Sequence, residues 1–90
     1  MSANHLTTDS KPALLVVDDN EDIRKLLLIA LRAVDEFEIE AVGSAREARE
    51  RLSERPFAVV ITDISMPEED GISLMQWARE SFPGPIWIVL

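Results

Sequence analysis

Two apolar runs that each end in a carboxylate decide the fold of this chain. The first covers residues 13–20 and reads Ala-Leu-Leu-Val-Val-Asp-Asp-Asn. The second covers residues 57–63 and reads Phe-Ala-Val-Val-Ile-Thr-Asp. Short runs that are continuously apolar, rather than alternating, are typical of strands covered on both faces of a sheet. The sequence therefore predicts buried strands at residues 13–17 and 57–61, with acidic residues at their carboxyl ends.

Three helices are predicted around these two runs. The first has one apolar face at helical spacing. Its apolar residues are Ile23, Leu27, Ala30, Leu31 and Val34. The capping-box pattern of Ser44 and Glu47 begins a second helix, which Pro56 ends. Turn residues before Gly71 precede a third helix, and the Pro-Gly-Pro cluster at residues 83–85 ends it.

Two further strands complete the pattern. Residues 37–42 alternate between apolar and acidic side chains, which indicates an edge strand, and residues 86–90 form another continuous apolar run. The element order is then β-α-β-α-β-α-β. This order predicts an α/β fold with a doubly wound, mainly parallel sheet and helices on both faces.

Composition limits what the chain can bind. Ninety residues suffice for one domain, and the polar segment at residues 1–12 is expected to be a flexible tail. A formal charge of -8 disfavours direct contact with nucleic acid or anionic membranes. The absence of cysteine suits a reducing cytoplasm. The polar residues 1–11 are not expected to act as a signal peptide, and no apolar run is long enough to span a membrane. Interspersed glutamates indicate that the arginines of the second helix form a salt-bridged, exposed face. These arginines are Arg46, Arg49, Arg51 and Arg55.

The strand-end carboxylates carry the chemistry. Ligands of doubly wound sheets bind outside the carboxyl ends of the strands. If the two apolar runs are neighbours, Asp18, Asp19 and Asp63 meet there, and their repulsion requires a cation such as Mg²⁺. Asp63 stands alone and is the better candidate nucleophile for phosphoryl transfer, whereas the adjacent pair is better placed to hold the ion. The alternative for either aspartate of that pair, taken singly, is a helix cap.

Two stretches of the chain resemble a known family. Residues 14–20 read Leu-Leu-Val-Val-Asp-Asp-Asn, and residues 62–71 read Thr-Asp-Ile-Ser-Met-Pro-Glu-Glu-Asp-Gly. Together they resemble the receiver domains of two-component response regulators, and the resemblance extends over residues 13–90. It implies a flavodoxin-like (CheY-like) fold and a signalling switch that catalyses only its own phosphorylation and dephosphorylation.

The resemblance also implies a role for each matching residue. Asp63 would accept the phosphoryl group, and Asp19 and Asp63 would bind Mg²⁺ together with the backbone carbonyl of Ser65. Asp18 would act on the ion through a water molecule. Three residues would support the site by shaping the loop and the turn into the next helix. These residues are Met66, Pro67 and Gly71.

The chain also departs from the family pattern. A complete receiver has a Ser or Thr after the fourth strand and a Lys at the end of a fifth. Neither is found here, because the sequence ends at Leu90, before the position of the hydroxyl residue, and its only lysines, Lys11 and Lys25, precede the site. The resemblance therefore predicts a C-terminally truncated receiver, with only the first four strands and three helices. Without the Ser or Thr and the Lys, this chain is not expected to carry out the family's switching mechanism. A fourth strand left at the sheet edge, with its apolar residues uncovered, is expected to cause self-association.

Three functions remain open from the sequence. The leading one is a cytoplasmic phosphoacceptor that receives its phosphoryl group from a sensor histidine kinase or phosphotransfer protein and then switches partner binding. A Mg²⁺-dependent phosphohydrolase of the haloacid dehalogenase kind is the first alternative, but Ser65 occupies the place of its general acid. A pseudo-receiver that binds partners without phosphorylation is the second.

Overall fold

Strands and helices alternate along the whole of the described chain. The structure, a computed structural model, describes residues 11–90, so most of the predicted tail lies outside the described residues. The strands are β1 (Ala13–Val17), β2 (Glu38–Val42), β3 (Val59–Thr62) and β4 (Ile86–Val89). The helices are α1 (Glu21–Arg32), α2 (Ala45–Glu54) and α3 (Gly71–Ser81). Every predicted element is present, and strand ends differ from the predicted bounds by one or two residues, as is usual for boundaries.

The four strands form one parallel sheet in the order β2-β1-β3-β4. This is the flavodoxin-like order, and it confirms both the doubly wound fold and the edge position of β2. Within the register, Val17 is opposite Val42 on one side and Thr62 on the other. The carboxyl ends of β1 and β3 therefore lie side by side.

One face of the sheet carries the core. Leu15 and Val60 project from neighbouring strands towards α2 and α3, where they pack with Leu52 and Leu74. The apolar residues of α2, Ala45, Ala48 and Leu52, are all buried. Leu15, Val60 and Leu74 are fully excluded from solvent, and each contributes roughly 1.5–3 kcal/mol by burial.

The opposite face is covered less completely. Helix α1 lies against β1 and β2, and none of its residues is buried. Its predicted apolar face is partly wrong: Leu27 and Leu31 are half-buried against the sheet, but Ile23 is 40% and Val34 is 52% exposed. The reason is that α1 is the only helix among residues 11–90 on this side, so no second helix covers its flanks. No helix in this part of the chain has the length and hydropathy to cross a membrane.

The arginines of α2 and its C-cap, Arg55, make ion pairs beyond those predicted. Arg51 and Arg55 both reach the carboxylate of Glu40 on β2, at 2.7 Å each, and Arg49 pairs with Glu69 beyond β3. A salt-bridged helix face was expected, and Arg51 does pair with Glu54 within the helix, but these other partners belong to other elements. These ion pairs therefore attach α2 to strand β2 and to the loop after β3.

Candidate functional site

Three carboxylates converge at the carboxyl end of the sheet. Asp18 and Asp63 follow the paired strands β1 and β3, and backbone hydrogen bonds hold both, from Asp18 N to Val42 O (3.2 Å) and from Asp63 N to Val17 O (2.9 Å). One carboxylate oxygen from each of Asp18, Asp19 and Asp63 lies within 4.8 Å of the other two. The structure thus brings together the three aspartates that the sequence singled out.

Burial differs among these aspartates. Asp18 is only 6% exposed, Asp63 is partly buried, and Asp19 is open to solvent. The Asp18 carboxylate accepts a hydrogen bond from the backbone N–H of Asn20 at 2.9 Å, which fixes the turn after β1. Negative charges this close together repel one another, and a bound cation would offset that repulsion.

The aspartates do not cap the helix that follows them. Asn20 is the N-cap of α1, and its side-chain oxygen accepts hydrogen bonds from the backbone N–H groups of Asp22 (2.9 Å) and Ile23 (3.1 Å). Capping by Asn satisfies donors that would otherwise need another acceptor. Neither Asp18 nor Asp19 caps α1, so the helix-cap alternative is wrong for both.

The loop after β3 is closed by hydrogen bonds within itself. The Asp63 carboxylate accepts from Ser65 N at 3.2 Å, and Gly71 N donates to Ile64 O at 3.0 Å. The loop then ends on the N-cap of α3, where Asp70 accepts a 2.7 Å hydrogen bond from Ser73 N. This bond lowers the pKa of the Asp70 carboxyl below its ordinary value, because it stabilises the charged form.

The predicted supporting residues occupy different positions in this loop. Ser65 is exposed beside Asp63, Met66 packs against the core, and Pro67 is exposed at the turn. Gly71 is buried where the loop returns to the site, and a β-carbon there would lie 2.2 Å from the carbonyl oxygen of Asp63. The loop can therefore approach Asp63 this closely only with glycine at position 71.

Arg24 is a site residue that sequence reasoning missed. Its guanidinium donates to the backbone carbonyl of Asp18 at 2.7 Å, and a β-carbon on Gly43 would come within 2.9 Å of it. Its position on α1 could have indicated this role, because a long side chain more than one turn after Asp18 can reach back to the end of the strand. Arg24 ties the turn that carries Asp18 and Asp19 to helix α1.

The carboxylate cluster fits a hard divalent cation. Magnesium takes one or two carboxylates, keeps several waters and accepts a phosphate oxygen as a further ligand. Asp18, Asp19 and Asp63 offer oxygen ligands of this kind. The cluster is open to solvent at Asp19. Bound there, a cation would offset the repulsion among the three carboxylates.

The family follows from the fold and this site together. The profile of the response regulator receiver domain matches residues 14–90, and the chain belongs to this family. Receiver domains are signalling switches of two-component systems. Membership favours a switch over the phosphohydrolase alternative.

Three similar proteins illustrate the relationship. CpdR, a response regulator receiver protein of Brucella abortus, is 39% identical over 70 residues, which are 78% of this chain and 58% of that protein. The response regulator PilR of Pseudomonas aeruginosa is 35% identical over 74 residues, 82% of this chain and 16% of that protein. The response regulator TrrA of Thermotoga maritima, solved with Mg²⁺-BeF, has a TM-score of 0.80 at 29% identity. The match covers 87% of this chain and 67% of the TrrA chain. The chain thus spans from about a sixth to somewhat over half of the two curated relatives.

Proposed function

We propose that this chain is a phosphoacceptor module that takes a phosphoryl group onto Asp63 from a phosphohistidine of a sensor kinase or phosphotransfer protein. The convergence of three carboxylates within 4.8 Å, at the end of two neighbouring strands, carries this proposal. It is supported by membership in the receiver family. A cytoplasmic location belongs to the same proposal. A change in partner binding on phosphorylation also belongs to it, where the Ser or Thr and the Lys of a complete receiver are supplied.

Each site residue has a distinct part in the proposed reaction. A carboxylate oxygen of Asp63 attacks phosphorus as the bond from phosphorus to the imidazole nitrogen breaks. Asp19, Asp63 and the backbone carbonyl of Ser65 would hold Mg²⁺, with Asp18 acting through a water. The ion supplies positive charge that offsets the negative charge of the phosphoryl oxygens.

The metal site can be tested without phosphorylation. We expect weak Mg²⁺ binding, because a site of this composition leaves the ion mostly hydrated. Mg²⁺ would be titrated while amide shifts are followed by NMR, in the unaltered chain and in the double variant Asp19→Asn, Asp63→Asn. Glu21→Gln combined with Asp22→Asn, which removes the same two negative charges from the first turn of α1, is the control. An unchanged response in the double variant would rule out the proposed ligands.

The phosphoacceptor can be mapped directly. Incubation with a small acyl phosphate and Mg²⁺, followed by mass spectrometry, should place the label on Asp63 alone. Labelling should be slow, because neither of the two lysines, Lys11 and Lys25, stands at the position of the family's Lys that offsets the charge of the phosphoryl group. Labelling that persists in Asp63→Ala would refute the assignment, and complete absence of Asp63 labelling would favour the pseudo-receiver.

Self-association is a second part of the proposal. Among residues 11–90, β4 has a hydrogen-bonded neighbour on one side only, which is β3. Ile86 and Ile88 of β4 are 66% and 44% exposed on the face that α1 leaves uncovered. An uncharged apolar edge strand is a template for pairing with another chain, and a second copy of this chain presents the same edge.

A further inference from the structure

The loop beside Asp63 contains a strained turn. Glu68 has a φ of 71°, and the backbone N–H of the next residue, Glu69, donates to the carbonyl of Pro67 at 2.7 Å. A three-residue turn of this kind with positive φ is rare and strained for a residue with a side chain. Such strain persists only where the surrounding structure holds the backbone in place. The question is which contact holds this turn.

Arg49 of α2 makes that contact. Its Nη2 forms a short ion pair with the Glu69 carboxylate, immediately after the strained residue. The guanidinium also lies over the indole ring of Trp77 on α3, with 4.9 Å from its carbon to the ring centre. Arg49 therefore joins the loop to two helices that belong to the packed core.

This pair differs from an ordinary surface ion pair. The side chains of Arg49 and Glu69 are 41% and 22% exposed, whereas those of Lys25 and Glu21 are 67% and 68% exposed. The Nε of Arg49 is buried and has no hydrogen-bond partner among residues 11–90. Burial of an unpaired donor is unfavourable, so the stacking and the ion pair must outweigh it to hold this side chain in place.

We propose that Arg49 is a positioning residue for the acidic site, and this inference rests on the proposed function. By holding Glu69 it keeps Glu68 in its strained turn, and so fixes the loop whose two ends lie at the site. Those ends are the hydrogen bonds from Ser65 N to Asp63 and from Gly71 N to Ile64 O. Without Arg49 the turn relaxes, and the ligands offered by Asp63 and the Ser65 carbonyl lose their alignment.

Charge and positioning predict opposite effects of removing Arg49. The loss of a positive charge near an acidic site, considered alone, strengthens Mg²⁺ binding. Relaxation of the loop weakens it. The sign of the change in Mg²⁺ affinity therefore separates the two explanations.

The experiment uses Arg49→Met, which removes the ion pair while keeping a long apolar side chain over Trp77. Arg46→Met is the matched control, because Arg46 is exposed on the same helix and pairs with none of residues 11–90. Amide hydrogen exchange of Gly71 would be measured without metal, and Mg²⁺ affinity by calorimetry. In Arg49→Met we expect exchange to be faster and Mg²⁺ binding to be weaker by at least about threefold, whereas Arg46→Met should show neither change.

Rescue provides a sharper test. Glycine adopts positive φ without strain, so Glu68→Gly added to Arg49→Met should slow Gly71 exchange again and recover much of the Mg²⁺ affinity. A merely structural role of Arg49 in helix packing would not respond to Glu68→Gly. If Arg49→Met does not fold, Glu69→Gln breaks the same pair from the loop side, and its Gly71 exchange is measured instead.

The outcomes are distinct. Unchanged Gly71 exchange in Arg49→Met, or stronger Mg²⁺ binding, would overturn the positioning role and leave the proposed function intact. If the unaltered chain takes up no Mg²⁺, the metal site of the proposed function fails, and the positioning role fails with it. Faster exchange with weaker binding, both reversed by Glu68→Gly, would establish the inference.

Discussion

At the scale of single residues, the missing side chain of Gly71 determines how closely the loop approaches Asp63. A β-carbon at this position would lie 2.2 Å from the Asp63 carbonyl oxygen and 3.0 Å from Oγ1 of the buried Thr62. The first of these neighbours is backbone and cannot rotate away. Any larger residue at position 71 must therefore move the backbone that carries Asp63, the proposed phosphoacceptor.

We predict that Gly71→Ala destabilises the protein despite a favourable change in helix propensity. Alanine at the start of α3 gains at most about 1 kcal/mol in propensity. Overpacking against backbone costs about 1–3 kcal/mol and shifts Asp63. Urea unfolding followed by Trp fluorescence should show a net loss of stability, and Mg²⁺ affinity should fall as well.

Gly84→Ala provides the control for this prediction. A β-carbon on Gly84 meets no atom within 4 Å, so its stability and Mg²⁺ affinity should match those of the unaltered chain. Equal losses in the two variants would show that the close approach of Gly71 to Asp63 is not the cause.

At the scale of elements, ion pairs bind α2 to the edge strand β2. In the register Glu40 lies opposite Leu15, so it projects from the face that α2 and α3 cover. A charge at such a position needs partners. Arg51 provides two hydrogen bonds, at 2.7 and 3.0 Å, and Arg55 a third at 2.7 Å. These hydrogen bonds, that of Arg51 first, hold the pKa of Glu40 below its ordinary value of 4.5, although partial burial opposes them.

This pKa shift predicts a pH dependence of stability. Because the folded state stabilises the Glu40 carboxylate, its contribution is fully present above the unfolded pKa, near 4.5. It is lost as the pH falls through the lower pKa of the folded state. Glu40→Gln should therefore lower the free energy of unfolding by about 1–2 kcal/mol at neutral pH. The difference from the unaltered chain should disappear in acid.

Chemical denaturation at a series of pH values would measure this difference. Glu50→Gln, on the exposed side of α2, removes an equal charge and should change stability little at any pH. A difference for Glu40→Gln that stays constant down to the acid limit would contradict the assignment to its ion pairs.

At the scale of the whole molecule, the two faces of the sheet are unequally covered. Helices α2 and α3 bury one face, while α1 covers only β1 and β2 on the other. Large apolar side chains consequently remain exposed on the second side. They include Leu26 at 65%, Ile29 at 71%, Ile86 at 66% and Ile88 at 44%. Monomers rarely leave an extended apolar surface in contact with water.

We predict that the 10.1 kDa chain self-associates through this surface and the β4 edge. Sedimentation at several concentrations should show dimers or larger species at high micromolar protein, and Ile88→Lys should reduce them. Ile88 is preferable to Trp87 as a probe, because Trp87 points to the other face and packs against the core.

Gln76→Lys is the control for this experiment, because it adds the same charge on the exposed side of α3. It should leave the association unchanged. A well-folded monomer of the unaltered chain at high concentration would contradict self-association altogether. Association unaffected by Ile88→Lys would exclude the β4 edge and its exposed face as the main cause.

The sequence by itself determined the order and type of every element, because periodicity and caps are local properties. Alternation at residues 37–42 indicated an edge strand, and Ser44 does cap α2, accepting a 3.1 Å hydrogen bond from Glu47 N. The run from Thr62 to Gly71, with the strand that ends at Asp18, was enough to identify the family. The candidate ligands Asp18, Asp19 and Asp63 were also identified from the sequence.

Only the tertiary structure decided which distant residues meet. The pairing of β1 with β3 brings Asp18 to Asp63, and the packing of α2 on α3 brings Arg49 to Glu69 and Trp77. Sequence patterns did not reveal the partners of Arg24 or Arg49, because a charged residue on a helix has the same local pattern whether its partner is water or a distant polar group. The direction in which such a side chain extends depends on how the helices cross the sheet. That geometry is set by core packing over the whole domain, which no short stretch of sequence encodes.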